Sequence, residues 1–308
     1  MVKIFVAGHK GLVGSALVRA VNKNSQFTWL GAGRDELDLL DRNAVFKFIA
    51  EKKPDAIIVA AARVGGIMAN STFPVEFLSE NLRIMTNVLD ASHAADIERL
   101  LFLGSSCIYP RMAPQPIKEE YLLTGELEPT NEAYALAKIS GLKLVQAYRK
   151  QFSRKWISIM PTNLYGPGDN FDLESSHVLP AMIRKFHDAK NRDAASVTLW
   201  GSGSPRREFL HVDDLAEACL FLLDNYDGDS AINVGTGSDV SIRELAQVVS
   251  GITGFTGDIA WDTSKPDGTP RKLLDVSKLS SLGWRHSISL AQGIDSTYSW
   301  YLNQPSQL

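Results

Sequence analysis

A short apolar run that stops at a cluster of glycines constrains this chain more than any other feature. Val2 to Ala7 is a short run of β-branched and apolar residues broken only by Lys3, the pattern of a strand buried on both faces. It ends at Gly8-His9-Lys10-Gly11-Leu12-Val13-Gly14, and an amphipathic helix is expected from there through about Val21. Glycines three apart between a strand and a helix permit a tight turn, let backbone N–H groups approach a pyrophosphate, and let helix pack on strand. The spacing is GxxGxxG, so the strict GxGxxG fingerprint is not met.

The chain repeats the strand–helix alternation. Phe27 to Leu30, Asp55 to Ala62 and Arg99 to Leu103 read as the second, third and fourth strands, with a helix from about Pro74 to Ala94 before the fourth. That order predicts an α/β fold with a doubly wound parallel sheet. After the second strand, an NAD site usually places an acid for the ribose 2′-hydroxyl. Here Gly31-Ala32-Gly33-Arg34 follows, with Lys10 in the first glycine loop, and two cations suit a 2′-phosphate, so NADP(H) is the expected cofactor. Asp38 and Asp41 come next, and the sequence does not separate an adenine contact from helix capping.

With 308 residues, 44% hydrophobic and 22% charged, the chain is long enough for one large α/β domain or two unequal ones. The net charge of −3 gives no reason to expect nucleic acid or an anionic membrane as partner. No run approaches the roughly 20 apolar residues of a membrane span. Two cysteines, Cys107 and Cys219, suggest no disulfide framework, and a cytoplasmic setting is the default expectation. No metal site is expected.

The chemistry concentrates in two stretches. Gly104-Ser105-Ser106-Cys107-Ile108-Tyr109-Pro110 follows the fourth strand, at the end of a parallel sheet where ligands gather. Tyr134-Ala135-Leu136-Ala137-Lys138 opens a helix and puts a phenol and an ammonium on one face. An unperturbed phenol has a pKa of about 10, and a neighbouring ammonium favours its phenolate. The pair would exchange a proton with an oxygen whose carbon exchanges hydride with a nicotinamide.

The glycine loop, the serine-rich turn and the YxxxK together resemble the extended short-chain dehydrogenase/reductases acting on nucleotide sugars. GHKGLVGSA, AAARVGGI, FLGSSCIYP, LEPTNEAYALAK, MPTNLYGPGDNF, SHVLPA, WGSGSPRREFLHVDD, INVGTG and KPDGTPRKLLDV are similar to the branch that both epimerises and reduces GDP-4-keto-6-deoxy-D-mannose. The resemblance spans nearly the whole chain. It implies a Rossmann sheet with a smaller C-terminal α/β substrate domain, NADP(H) as cofactor, that GDP-sugar as small-molecule substrate, and a homodimer. It implies Ser105 as the hydroxyl on the sugar C4 oxygen, Tyr134 as the acid that protonates it, and Lys138 as the residue that holds the nicotinamide ribose and tunes Tyr134. Inversion at C3 and C5 needs a base and an acid on opposite faces of the ring, and Cys107 and His177 match that pair. Without the family, Cys107 would more often be a small buried hydrophobe and His177 a helix-capping residue, while Cys219 fits an apolar helix face.

For the cofactor, the resemblance implies Gly8, His9, Lys10, Gly11, Leu12, Val13, Gly14 and Arg34 around the adenosine and diphosphate. It adds Leu103, Gly104, Ser105, Ser106, Lys138, Pro161, Thr162, Asn163, Leu164 and His177 near the nicotinamide. For the GDP-sugar it implies Lys185, Trp200, Arg207 and Asp267; by itself a strand-end Trp is more often core. Arg206 reads as a solvated neighbour of Arg207, and Arg271 and Lys272 as structural. His211 to Asp214 should begin an amphipathic helix, and Ala231 to Val234 a strand returning to the sheet. The expected division is a cofactor domain of residues 1–165 with a return segment at about 205–235, and a substrate domain of 166–204 and 236–308. A nucleotide-sugar 4-reductase or 4-epimerase of the same fold is the nearest alternative. A 4,6-dehydratase usually needs acidic residues where Ser106 and Cys107 stand, and a non-catalytic dinucleotide sensor would not be expected to keep serine, tyrosine and lysine.

Overall fold

The structure is a computed structural model that describes residues 1–265 and 267–304, so Pro266 of the KPDGTPRK stretch and the last four residues lie outside it. The first half alternates as expected: β1 (Val2–Ala7), α1 (Leu12–Lys23), β2 (Phe27–Leu30), α2 (Arg42–Lys52), β3 (Ala56–Val59), α3 (Ile67–Thr72), α4 (Pro74–Ala94), β4 (Arg99–Leu103), α5 (Glu132–Phe152) and β5 (Lys155–Pro161). The third strand is shorter than the apolar run that announced it. Its last ladder partners are Ala7 and Phe102, opposite Val59, after which Ala60–Ala62 leave the sheet at the mouth of the crevice.

The second half is more broken: β6 (Asn163–Tyr165), α6 (Val178–Asn191), β7 (Ser196–Trp200), β8 (Arg206–Arg207), β9 (Phe209–His211), α7 (Val212–Asn225), β10 (Ile232–Val234), β11 (Val240–Ser241), α8 (Ile242–Thr253), β12 (Asp258–Asp262), β13 (Arg271–Lys272), α9 (Ser277–Ser281) and α10 (Leu290–Leu302). The main sheet runs β10-β5-β4-β3-β1-β2, with every neighbouring pair parallel. Strand addition reverses between β1 and β3, which opens the ligand crevice of a doubly wound sheet at their carboxyl ends.

Continuous apolar strands need cover on both faces. On one face α1 and α7 pack Leu17, Val21, Leu215 and Leu222 against Ile4, Ile58 and Leu101. Cys219, fully buried, belongs to this core. On the other face α2, α4 and α5 bury Val45, Ile49, Val88, Leu89 and Val145 over Phe5, Ile57 and Phe102. A third core joins α6, α8 and α10 with β7 through Ile183, Phe186, Leu199, Leu245 and Ile294. The fourth is small and lies where the site forms: Cys107, Ile108, Ile117, Ala135, Met160 and Leu274, with Tyr134 packed against them.

Candidate active site

The crevice begins at the first glycine loop. Gly8 has φ +90°, and a Cβ there would stand 2.8 Å from the Ala61 backbone, so only glycine lets the ends of β1 and β3 touch. Gly14 lies so close to the Gly8 carbonyl that a side chain would collide with it. The N-terminus of α1 carries no side-chain cap and no acid in its first turn. Its free N–H groups and dipole are therefore available to an anion. Lys10 reaches across to the loop after β2, where a Cβ on Gly33 would be 2.7 Å from its Nζ. Arg34 is exposed beside it. These residues fit a dinucleotide with an extra phosphate on its ribose. Asp41, by contrast, caps α2 by accepting from the Ala44 N–H at 3.1 Å, and Asp38 accepts from the Leu40 N–H at 2.9 Å.

The catalytic candidates meet at the carboxyl ends of β4 and β5. Ser105 Oγ accepts from the Cys107 N–H at 3.3 Å, which closes a short 3-10 turn and fixes the thiol two residues away. Gly104 donates to the Ile159 carbonyl at 2.9 Å, tying this loop to β5. Lys138 is buried and donates from Nζ to the Leu103 carbonyl at 2.7 Å, with the Tyr134 ring centroid 5.6 Å away. Phe77 holds the Tyr134 ring edge-on at 6.3 Å. Ser105, Cys107, Tyr134 and Lys138 are thus brought together.

The protonation states of this cluster follow from burial. Burial pushes the Tyr134 phenol well above its ordinary range, and the neighbouring Cys107 adds to that. Burial pulls Lys138 down to about 8, partly offset by Cys107. Desolvation of the phenol therefore opposes the expected tuning of Tyr134 toward phenolate by Lys138. A phenol that keeps its proton suits an acid rather than a base. The Cys107 thiol is likewise raised by burial, against the pull of Lys272, the Ser105 hydroxyl and Lys138.

His177 precedes α6 but does not cap it with its side chain, which has no hydrogen-bond partner among the described residues. Its side chain keeps contact with solvent, yet enough protein surrounds it to lower its pKa. It reaches the cluster indirectly. The Gly66 N–H donates to the Ser175 carbonyl at 3.0 Å, and α3, which starts there, packs on the Pro129–Asn131 turn just before Tyr134. Ser176 Oγ and Asn131 Oδ1, on either side of this path, are buried with no partner.

At β5 the Thr162 N–H donates to the Val234 carbonyl, and Asn163 Nδ2 donates to the Glu208 carbonyl at 2.7 Å. Pro161 therefore ends β5, Thr162 bonds to β10, and Asn163 and Leu164 pair with β9 in β6. The carboxylate of Glu208, fully buried, accepts from the N–H groups of Thr236 and Gly237 at 2.7 Å and of Leu274 at 3.0 Å. It clamps three segments of the second half together. Nothing in its sequence context, an acid before the apolar run Phe209-Leu210, distinguished it except that such a position is unfavourable without partners.

The remaining ligand candidates lie farther out. Trp200 is 62% exposed, so it is not core. The Lys185 and Lys265 ammonium groups approach its ring centroid at 5.8 and 5.6 Å. Asp267 accepts from the Ser202 N–H at 2.7 Å and shapes the turn after Trp200. Arg207 is surrounded by protein, which lowers its pKa against the pull of Glu128, and its Nη1 donates to the Arg206 carbonyl at 2.9 Å. Arg206 is not merely solvated: it pairs with Asp239 at 2.8 Å and Glu244 at 3.4 Å, and Arg271 also pairs with Asp239.

Comparison with known proteins gives concordant results. The model of the NAD dependent epimerase/dehydratase family matches residues 4–235. GDP-L-fucose synthase 1 of Arabidopsis thaliana is 57% identical over 300 residues, covering 97% of this chain and 93% of that protein. A GDP-6-OMe-4-keto-L-xylo-heptose reductase from C. jejuni superposes with a TM-score of 0.93 at 38% identity, covering 99% and 98% of the two chains. A GDP-L-fucose synthetase from Naegleria fowleri bound to NADP has a TM-score of 0.90 at 30% identity, covering 98% and 94%.

Proposed function

The chain belongs to the NAD dependent epimerase/dehydratase family, in the branch that holds the GDP-L-fucose synthases, and from that premise we propose that it converts GDP-4-keto-6-deoxy-D-mannose to GDP-L-fucose. The observation that carries this reading is the buried Cys107 beside Ser105, Tyr134 and Lys138, because reduction alone has no use for a thiol there.

The Gly8–Gly14 loop, Lys10 and Arg34 would hold NADPH, which when bound would supply the hydride. The protein's own groups do the rest. A C4 ketone acidifies the C–H bonds at C3 and C5. Cys107 and His177, approaching from different elements, remove and return those protons. Ser105 Oγ holds the C4 oxygen, and Tyr134, kept as a phenol by burial, protonates it during reduction. Lys138, pinned to the Leu103 carbonyl, sets the position available to the nicotinamide ribose. Trp200 with Lys185 and Asp267 meets the base end of the substrate, and Arg207 its diphosphate.

The division into a cofactor domain of 1–165 plus about 205–235, and a substrate domain of 166–204 and 236–308, is part of this reading. It draws support from the pairing of β10 with β5 and the packing of α7 on α1. A homodimer through α4 and α5 is supported by the exposed Val75, Leu136 and Phe152, and a cytoplasmic setting by two free, buried cysteines. Among the described residues no helix is long and apolar enough to cross a membrane.

The heptose reductase likeness favours a second reading, reduction at C4 without epimerisation. One reaction separates the two. In deuterium oxide with NADPH and GDP-4-keto-6-deoxy-D-mannose, NMR should show GDP-L-fucose carrying deuterium at C3 and C5. Reduced product without deuterium would establish the simple reductase.

A further inference from the structure

Strand β13 pairs in parallel with β8, setting Lys272 opposite Arg207. Successive side chains on a strand point to opposite sides. Arg271 turns outward to Asp239, so Lys272 turns inward. Both flanks of that inward position are fixed. The Leu273 N–H donates to Gln115 Oε1 at 2.8 Å, and the Leu273 carbonyl accepts from the Ile117 N–H at 2.7 Å. The Leu274 N–H is held by the buried Glu208 carboxylate. Leu274, Ile117 and Ala113 share one apolar cluster with Cys107. A strand from the other end of the chain thereby sets Lys272 two residues from a member of the cluster that holds the thiol.

Among the described residues its Nζ has no hydrogen-bond or ion-pair partner. Arg207 stands opposite Lys272 in the ladder, and Cys107 and Glu128 are close enough to act on its charge. Lys272 and Lys138 act on the charge of Cys107, the Ser105 hydroxyl accepts from its N–H, and Tyr134 packs against the same apolar cluster. Of the two ammonium groups, Lys138 is committed to the Leu103 carbonyl and bears less on the thiol.

We propose that Lys272 is a positioning residue for proton transfer at Cys107, its ammonium ion holding the thiolate during epimerisation. The inference rests on the epimerase reading above. When the thiolate takes a proton from the carbon beside the ketone, the C–H bond breaks and an S–H bond forms. The electron pair passes to the carbonyl as an enolate. An unaccompanied thiolate in a buried site is disfavoured, and an uncommitted cation offsets that.

The test is the pH dependence of Cys107 alkylation by iodoacetamide, located by peptide mass, in wild type, Lys272→Met, Lys272→Gln and Lys272→Arg. The two neutral variants should shift the thiolate titration upward by about one pH unit, slowing alkylation near neutrality about ten-fold. Lys272→Arg should restore most of the rate. Deuterium uptake at C3 and C5 should fall in step while NADPH affinity holds. Alkylation profiles in both neutral variants matching wild type would overturn the proposal. So would a rise in KM for the GDP-sugar with an unmoved thiol titration, which would make Lys272 a diphosphate ligand. Absence of deuterium uptake in wild type would sink the epimerase reading instead, while the alkylation profile still decides what Lys272 does to the thiol.

Discussion

The two ends of the ligand crevice are built differently. At the chemical end, Ser105 and Cys107 sit in the turn after the five-residue β4 and Tyr134 and Lys138 at the start of a 21-residue helix, over cores on both faces of the sheet. At the recognition end, Arg207 sits on a two-residue strand and Trp200 projects into solvent, and the segments are tied by single carboxylates, Glu208 and Asp239. On the proposed function, burial sets protonation where bonds would change, and ion pairs set geometry where the substrate would be recognised. Changes at the first end should alter turnover, and changes at the second should alter binding or local stability.

The largest effect should come from Tyr134→Phe, which removes the proposed acid and keeps the ring. Cofactor oxidation should fall by roughly 10²–10⁴-fold with NADPH affinity kept. A fall confined to substrate affinity would break the contrast. Asp239→Asn comes next, since it weakens two guanidinium pairs that lock β8 and β13 to β11. The loss should be about 1–2 kcal/mol, allowing for the exposure of both arginines, and should appear as a lower Tm together with a raised KM. Burial of Asp239 opposes ionisation, but the bonds from Arg271 and Arg206 prevail and hold its pKa below the ordinary carboxylate value. Its contribution is thus present above the unfolded-state value near 4 and lost as pH falls through the lower folded value, so wild type and variant should converge in acid. A gap that stayed constant in acid would contradict the pairing.

Trp200→Ala should raise KM for the GDP-sugar by roughly ten-fold, the scale of one base-stacking contact, with kcat and Tm little changed. An unfolded variant would mean that the ring supports the lobe. The smallest effect belongs to Arg34→Ala. Preference for NADPH over NADH should drop several-fold at low salt and less at high salt, as for an exposed charge. An unchanged preference would leave Lys10 alone facing the 2′-phosphate.

Much of the chemical end was legible in the sequence because it follows periodic elements. The bounds of β1, β4 and α4 coincide with their apolar runs, and the serine turn and YxxxK fall where parallel strands end. The recognition end was less so. Strands of two residues have no period to read, and the meeting of β8 with β13 joins positions more than 60 residues apart. The pairing of β8 with β11 brings Arg206 to Asp239, so Arg206 departs from the expectation of a solvated charge. Exposure of Trp200 and burial of Glu208 likewise depend on tertiary packing. The effect of burial on Tyr134 was not legible for the same reason: the YxxxK spacing shows the cation, whereas the opposing desolvation comes from the surrounding fold.

The most direct test of the central claim, that proton shuttling and reduction share one crevice through different residues, uses Tyr134→Phe and Cys107→Ser in deuterium oxide. Each variant is given GDP-4-keto-6-deoxy-D-mannose, and NMR follows deuterium at C3 and C5, with product analysis after NADPH is added. The account predicts that Tyr134→Phe still exchanges but scarcely reduces, and that Cys107→Ser loses exchange while NADPH still binds. Exchange that persists in Cys107→Ser, or disappears with reduction in Tyr134→Phe, would contradict it.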